Sequence, residues 1–175
     1  MITWWLKRKF DEMGREYDYD VSYMHELAEA DPAALRKFAL AMPFFTQPPR
    51  ASAHACWAAK LRSCKHADCG PCLRLVIDMA RRFGTEDQTI REILIGTPVD
   101  HDAALGQAYA DAVLGNSPEL PELINKIESR WGKKGLASMS AAVMSGQFFP
   151  VFKRGFGHGM ACEPVLKELE AKIAA

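Results

Sequence analysis

The sequence predicts an all-α protein, a single helical bundle of about eight or nine helices. Three observations carry that prediction. Apolar residues recur at helical spacing, strand-like alternation is missing from nearly the whole chain, and the breaks are helix caps and stops with short connections between them. With 175 residues, 49% hydrophobic and 25% charged, the chain is long enough to bury about two-thirds of its unfolded surface. Residues 1–175 are therefore read as one domain.

The elements follow in order. MITWWLKRKF predicts an amphipathic first helix that packs its aromatics, Trp4, Trp5 and Phe10, on the core, a reading preferred to contact of those aromatics and Lys7, Arg8 and Lys9 with a membrane surface. Asp31 and Pro32 supply an N-cap and a first-turn proline ahead of AALRKFALAM. PFFTQPPR, Pro43 to Arg50, breaks the chain with three prolines, and ASAHACWAAKLRSC reads as an alanine-rich helix. After Cys72 the run LRLVIDMARRFG is helical and stops at Gly84. TEDQTIREILIG follows with a capping box pairing Thr85 with Gln88, and ends at Gly96. Asp100 begins HDAALGQAYADAVLG, Pro118 begins ELPELINKIESRWG, and LASMSAAVMSGQFF adds a small-residue helix before the glycine-rich RGFGHGMAC. Met139 and Met144 are assigned to core packing. The chain shows no internal repeat or linker.

Composition narrows the function classes. Twenty-two basic residues balance 22 acidic ones, so nothing drives sequence-independent phosphate binding, and nucleic acid is not an expected partner. The amino terminus lacks the apolar run of a signal peptide, and no segment approaches the roughly 18 apolar residues of a membrane span. The expected location is cytoplasmic, with no membrane partner. In that reducing compartment five cysteines are not expected to form a structural disulfide framework.

Three of those cysteines fall in SCKHADCGPCLRLVIDMARRFG, residues 63–84, which contains CGPC. In thioredoxin the same tetrapeptide lies between a strand and a helix. Here the approach, WAAKLRSCKHAD, is a helix and a polar turn, and no βαβ pattern surrounds it. Cys64, Cys69 and Cys72, with His66 among them, also match iron–sulfur and zinc spacings. Against this, Cys162 lies 90 positions beyond Cys72, and donors drawn from one nine-residue turn have no anchor on a second element. No metal and no cofactor are expected.

A redox pair fits better. Cys69 and Cys72 are three apart at a helix start, where side chains at i and i+3 share a face and a disulfide closes. The positive helix end, Lys65 and His66 favour thiolate at Cys69, and Asp68 opposes it. Cys69 is expected to be the more exposed, attacking thiol and Cys72 the resolving one.

CGPCLRLVIDMARRFGTEDQTIREIL, Cys69 to Leu94, resembles the alkylhydroperoxidase D and carboxymuconolactone decarboxylase superfamily: a CxxC, a helix ending in a glycine turn, then a capped helix. A looser likeness through ALGQAYADAVL and LASMSAAVMSGQFFPVFKRGFG extends it over residues 51–159, leaving residues 1–50 as a helical extension outside it. The resemblance implies an alkylhydroperoxidase D-like all-α bundle that assembles into homo-oligomers. It also implies a relay in the peroxide-reducing members: a histidine four residues after the second cysteine and a glutamate about twelve before the first. Val76 and Trp57 stand at those places here, and neither transfers a proton. His54 and His66 are the candidate replacements, with Asp78 a local alternative. His158, among glycines, is a further candidate for ligand contact.

The expected function is that of a thiol–disulfide oxidoreductase, an alkylhydroperoxidase-like antioxidant protein cycling Cys69 and Cys72. Its partners are a peroxide or disulfide substrate and a thiol reductant or redox partner protein. The alternative is a non-catalytic helical module, oligomeric or ligand-binding, on the same scaffold.

Overall fold

The alanine-rich helix is the hub around which the other elements gather. The computed structural model describes residues 2–46, 49–159, 167 and 171. In chain order the helices are α1 (Ile2–Tyr17), α2 (Ser22–Ala30), α3 (Pro32–Leu40), α4 (Met42–Thr46), α5 (Ala53–His66), α6 (Gly70–Arg82), α7 (Asp87–Ile95), α8 (His101–Gly115) and α9 (Leu120–Gly155). The protein is all-α, with no strand among the described residues.

Much of the punctuation works as the residues suggest. Asp31 Oδ1 accepts from the Ala33 and Ala34 amides with Pro32 in the first turn of α3, and Asp100 Oδ1 accepts from Ala103 at the start of α8. Gly96 closes α7 at φ 94°. The sequence break after Trp131 survives as a kink: Gly132, at φ 66° and ψ −176°, is non-helical inside α9. The Thr85–Gln88 capping box does not form. Glu86 occupies the N-cap of α7 without a side-chain bond, Thr85 is buried, and Gln88 donates instead to Glu92.

α5 packs most extensively on α8 and α9, and its alanines make this possible. Ala55, Ala58 and Ala59 are fully buried. Across from them Gly106 of α8 sits where a Cβ would strike the Ala55 backbone, and Gly146 of α9 where one would lie 2.6 Å from the Lys60 carbonyl oxygen. Ala55 and Ala59 face a core shared with Tyr109, Ile127, Met139 and Val143. Ala58, Leu61 and Cys64 face another, built with α6, α7 and the N-terminal helices, that includes Phe10, Tyr23, Leu35 and Leu73.

Two expectations about core packing are corrected. Phe10 is buried, but Trp4 and Trp5 are 66% and 54% exposed and lie under the cations Arg8 and Lys9 at about 6 Å. They project from the outer face of α1, away from the residues that α1 buries. Met139 is fully buried, whereas Met144, five residues on, points to solvent.

Candidate functional site

Asp68, at φ 51°, turns the chain sharply between α5 and α6, a conformation that the short polar side chain of aspartate tolerates. Cys69 follows as the N-cap of α6, in extended conformation, and Pro71 lies in the first turn, where no amide is needed. From the other side Arg154 of α9 donates to the Ala67 carbonyl at 2.8 Å and holds the turn. This geometry brings Cys69 Sγ and Cys72 Sγ to 2.8 Å from one another.

The thiols are not at the surface. Cys69 is fully buried and Cys72 is 2% exposed, so the expectation of a more exposed Cys69 is corrected. The cover comes from the extension. Tyr19, in the turn between α1 and α2, places its hydroxyl 3.4 Å from Cys72 Sγ and 3.5 Å from the Tyr23 hydroxyl. Lys153 of α9 is 1% exposed and lies beneath both rings, with Nζ 4.4 Å from the Tyr19 centroid and 5.3 Å from that of Tyr23. Its ammonium donates to the Asp20 carbonyl oxygen at 3.2 Å and pairs with the Asp20 carboxylate at 3.4 Å.

Electrostatically the site holds its protons. The hydrogen bond with Cys69, followed by burial, pushes the Cys72 thiol well above the ordinary thiol range, while the Tyr19 hydroxyl pulls it back down. Burial is also the main cause that pushes the Tyr19 and Tyr23 phenols upward. Tyr19 is thus a neutral hydroxyl that donates to Cys72 sulfur whenever that sulfur carries charge, and a poor acid toward anything else.

The other sequence candidates lie elsewhere. His66 is exposed at the end of α5, and His54 is exposed and paired with Asp100 at 3.4 Å. Asp78 is held by Arg81 at 2.8 Å, and Lys65 donates to the Leu94 carbonyl. Val76 is buried, and the Trp57 ring packs at a tilt against Phe83, with centroids 5.4 Å apart. His158 contacts Ser22 at 3.3 Å and Glu26 at 2.9 Å, joining the end of α9 to α2. Cys162 lies outside the described residues. No group of three or more histidine, cysteine or acidic side chains gathers as a metal site among the described residues.

Tyr19, Tyr23 and Lys153 are the residues that sequence reasoning missed. The aromatic pair at i and i+4 was visible, but nothing local joined it to cysteines some 50 positions away. Compared with known proteins, the chain finds no match among family models, curated proteins or solved structures.

Proposed function

We propose that the protein is a thiol–disulfide oxidoreductase on an alkylhydroperoxidase D-like scaffold, working through Cys69 and Cys72. The observation that carries this reading is the 2.8 Å approach of the two sulfurs at the start of α6, with a phenol hydroxyl against one of them. The Cys69 thiolate attacks one sulfur of a partner disulfide and expels the other as a thiolate. Cys72 then attacks Cys69 Sγ in the mixed disulfide, closes the Cys69–Cys72 bond and releases the second partner thiol. Two electrons pass to the partner, and the two cysteine protons leave with its thiols. A thiol reductant runs the cycle back.

Tyr19 acts in the second step, donating to the Cys72 sulfur as it loses its proton. Val76 and Trp57 stand where the relay of peroxide-reducing members would be, and burial raises the Tyr19 phenol rather than making it a ready acid, so the reading favours disulfides over peroxides. Because both thiols are buried, the partner disulfide reaches Cys69 only when the Tyr19 turn opens, and the turn closes again before Cys72 attacks.

The test is equilibration of the full chain in glutathione redox buffers, acid quench, alkylation and peptide mass mapping, alongside disulfide-reduction assays. An intramolecular Cys69–Cys72 disulfide is expected, with activity lost in Cys69→Ser and Cys72→Ser. Failure to form that bond across the range, or activity persisting in the double variant, removes the proposal.

A further inference from the structure

A second site lies apart from the cysteine pair. A cavity of about 530 Å³ opens between α1, α4, α5, α6 and α9, and neither Cys69 nor Cys72 lines it. That volume suits an organic ligand of ordinary size. Its walls are largely aromatic and aliphatic, with Phe44, Phe45, Trp57, Met79 and Phe83 prominent. Lys60 of α5 is the one charged side chain among the described residues that line it.

The polar inventory decides the charge of the occupant. Lys60 Nζ lies 5.3 Å from the Trp57 ring centroid, and no carboxylate of the described residues pairs with it. Its side chain is half-buried, and its amine sits among groups that solvate charge poorly, so burial lowers its pKa while Cys64 acts weakly in the other direction. The cavity's own thiol offers no anion: burial pushes Cys56 up to about 11, and it remains neutral at physiological pH. Two wall hydroxyls have already spent their protons on backbone carbonyls, Thr46 on Met42 and Ser145 on Ala142. Besides the neutral hydroxyls of Tyr17 and Ser138, the latter accepting from the Arg50 amide, what is left is a lysine at the edge of a largely apolar chamber with no anion facing it. An incoming carboxylate is what would hold its charged form. A ligand that complements this has one negative charge and an apolar body. A phosphate or dicarboxylate brings more charge than one lysine neutralises in such a wall.

We infer that this cavity binds an amphipathic monocarboxylate, with Lys60 holding the carboxylate and the aromatic walls enclosing the hydrocarbon. Binding is independent of the thiols, so its failure and the failure of the redox reading are told apart by the protein lacking both cysteines.

The experiment is calorimetric titration of the full chain at pH 7.5 with dodecanoate, dodecan-1-ol and dodecyltrimethylammonium. Dodecanoate is expected to bind with one site per chain, more tightly than the alcohol, and the cation to bind weakest. Lys60→Met keeps an apolar stem and removes the charge; it should weaken dodecanoate about tenfold to a hundredfold and leave dodecan-1-ol unchanged. Ala142→Trp, which fills the chamber, should abolish binding of both, with thermal melting confirming its fold. Cys69→Ser/Cys72→Ser should bind dodecanoate like the parent. The inference is overturned if dodecanoate shows no saturable binding, if the ammonium compound binds as well as the carboxylate, or if Lys60→Met leaves dodecanoate affinity unchanged. It is equally overturned if the face proves to be occupied by a second copy of the chain that dodecanoate does not displace.

Discussion

Tyr19 serves the thiols in two separable ways, as a hydrogen-bond partner and as a cover. Tyr19→Phe keeps the ring over the site and deletes the hydroxyl 3.4 Å from Cys72. Closure of the Cys69–Cys72 disulfide by diamide should slow in this variant by about tenfold, the worth of one hydrogen bond to a charged sulfur. Tyr19→Ala removes both functions, and alkylation of the folded protein by iodoacetamide should then accelerate relative to the parent, whose thiols are shielded. Opposite movements of the two rates separate bond from cover; a parent protein alkylated as fast as free cysteine would contradict the burial on which both expectations rest. At this scale the sequence was informative about the cysteines because their pairing is local. It was silent about their surroundings, because Tyr19 reaches the site from the α1–α2 turn and Lys153 from α9, both far away in sequence. A periodicity records which face is buried and leaves the neighbour unspecified.

Helix contacts make sharper demands. α5 lies against α8 and α9 closely enough that Gly106 and Gly146 have no room for a methyl group, the obstacle in both cases being backbone of α5. Gly106→Ala and Gly146→Ala should each destabilise the fold by about 1–3 kcal/mol despite the better intrinsic helix propensity of alanine, measured by urea denaturation. A stabilised variant would show that the helices separate without cost. Helix starts at Asp31 and Asp100 and the stop at Gly96 were legible, since each cap is made by residues adjacent to the helix it ends. The Thr85–Gln88 box was legible and wrong. Its pattern is satisfied in sequence, but Thr85 is taken into the interior and Gln88 finds a partner one turn on. Trp4 and Trp5 likewise follow a pattern that predicts burial, while α1 directs Phe10 inward instead.

For the whole molecule, ionisation sets an alkaline limit. Cys72, Cys56, Tyr19 and Tyr23 all release protons less readily folded than unfolded, Cys56 at about 11. Below the ordinary thiol pKa of about 8.5 these groups are protonated in both states, and their contribution to stability is complete. As pH rises beyond it the unfolded chain ionises first, so stability falls. Lys60, held low, works against that trend over part of the range, but it is one group against four. The denaturation midpoint should therefore drop between about pH 8.5 and 11, and the slope should lessen in Cys72→Ser and Cys56→Ser; a flat profile would contradict the burial of these thiols. The surface carries its own expectation. Trp4 and Trp5, neighbours on the outer face of α1, are more than half exposed, apolar area that a second copy of the chain would cover. Sedimentation at micromolar concentration should give a mass above that of the monomer, and Trp4→Ser/Trp5→Ser should lower it.

The lysine beneath the two tyrosine rings also imposes an order in time. Lys153 belongs to α9 and lies 133 residues after Asp20 in the turn it secures, so it leaves the ribosome long after that turn. The cysteines emerge between them, so the newly made chain carries its CxxC without its shield until α9 has emerged and docked. The thiols are most open to oxidants before α9 is in place. In refolding from denaturant, protection of Cys69 and Cys72 against a pulse of alkylating agent should accordingly trail the recovery of helical circular dichroism, because it waits on a contact 133 residues apart in the chain.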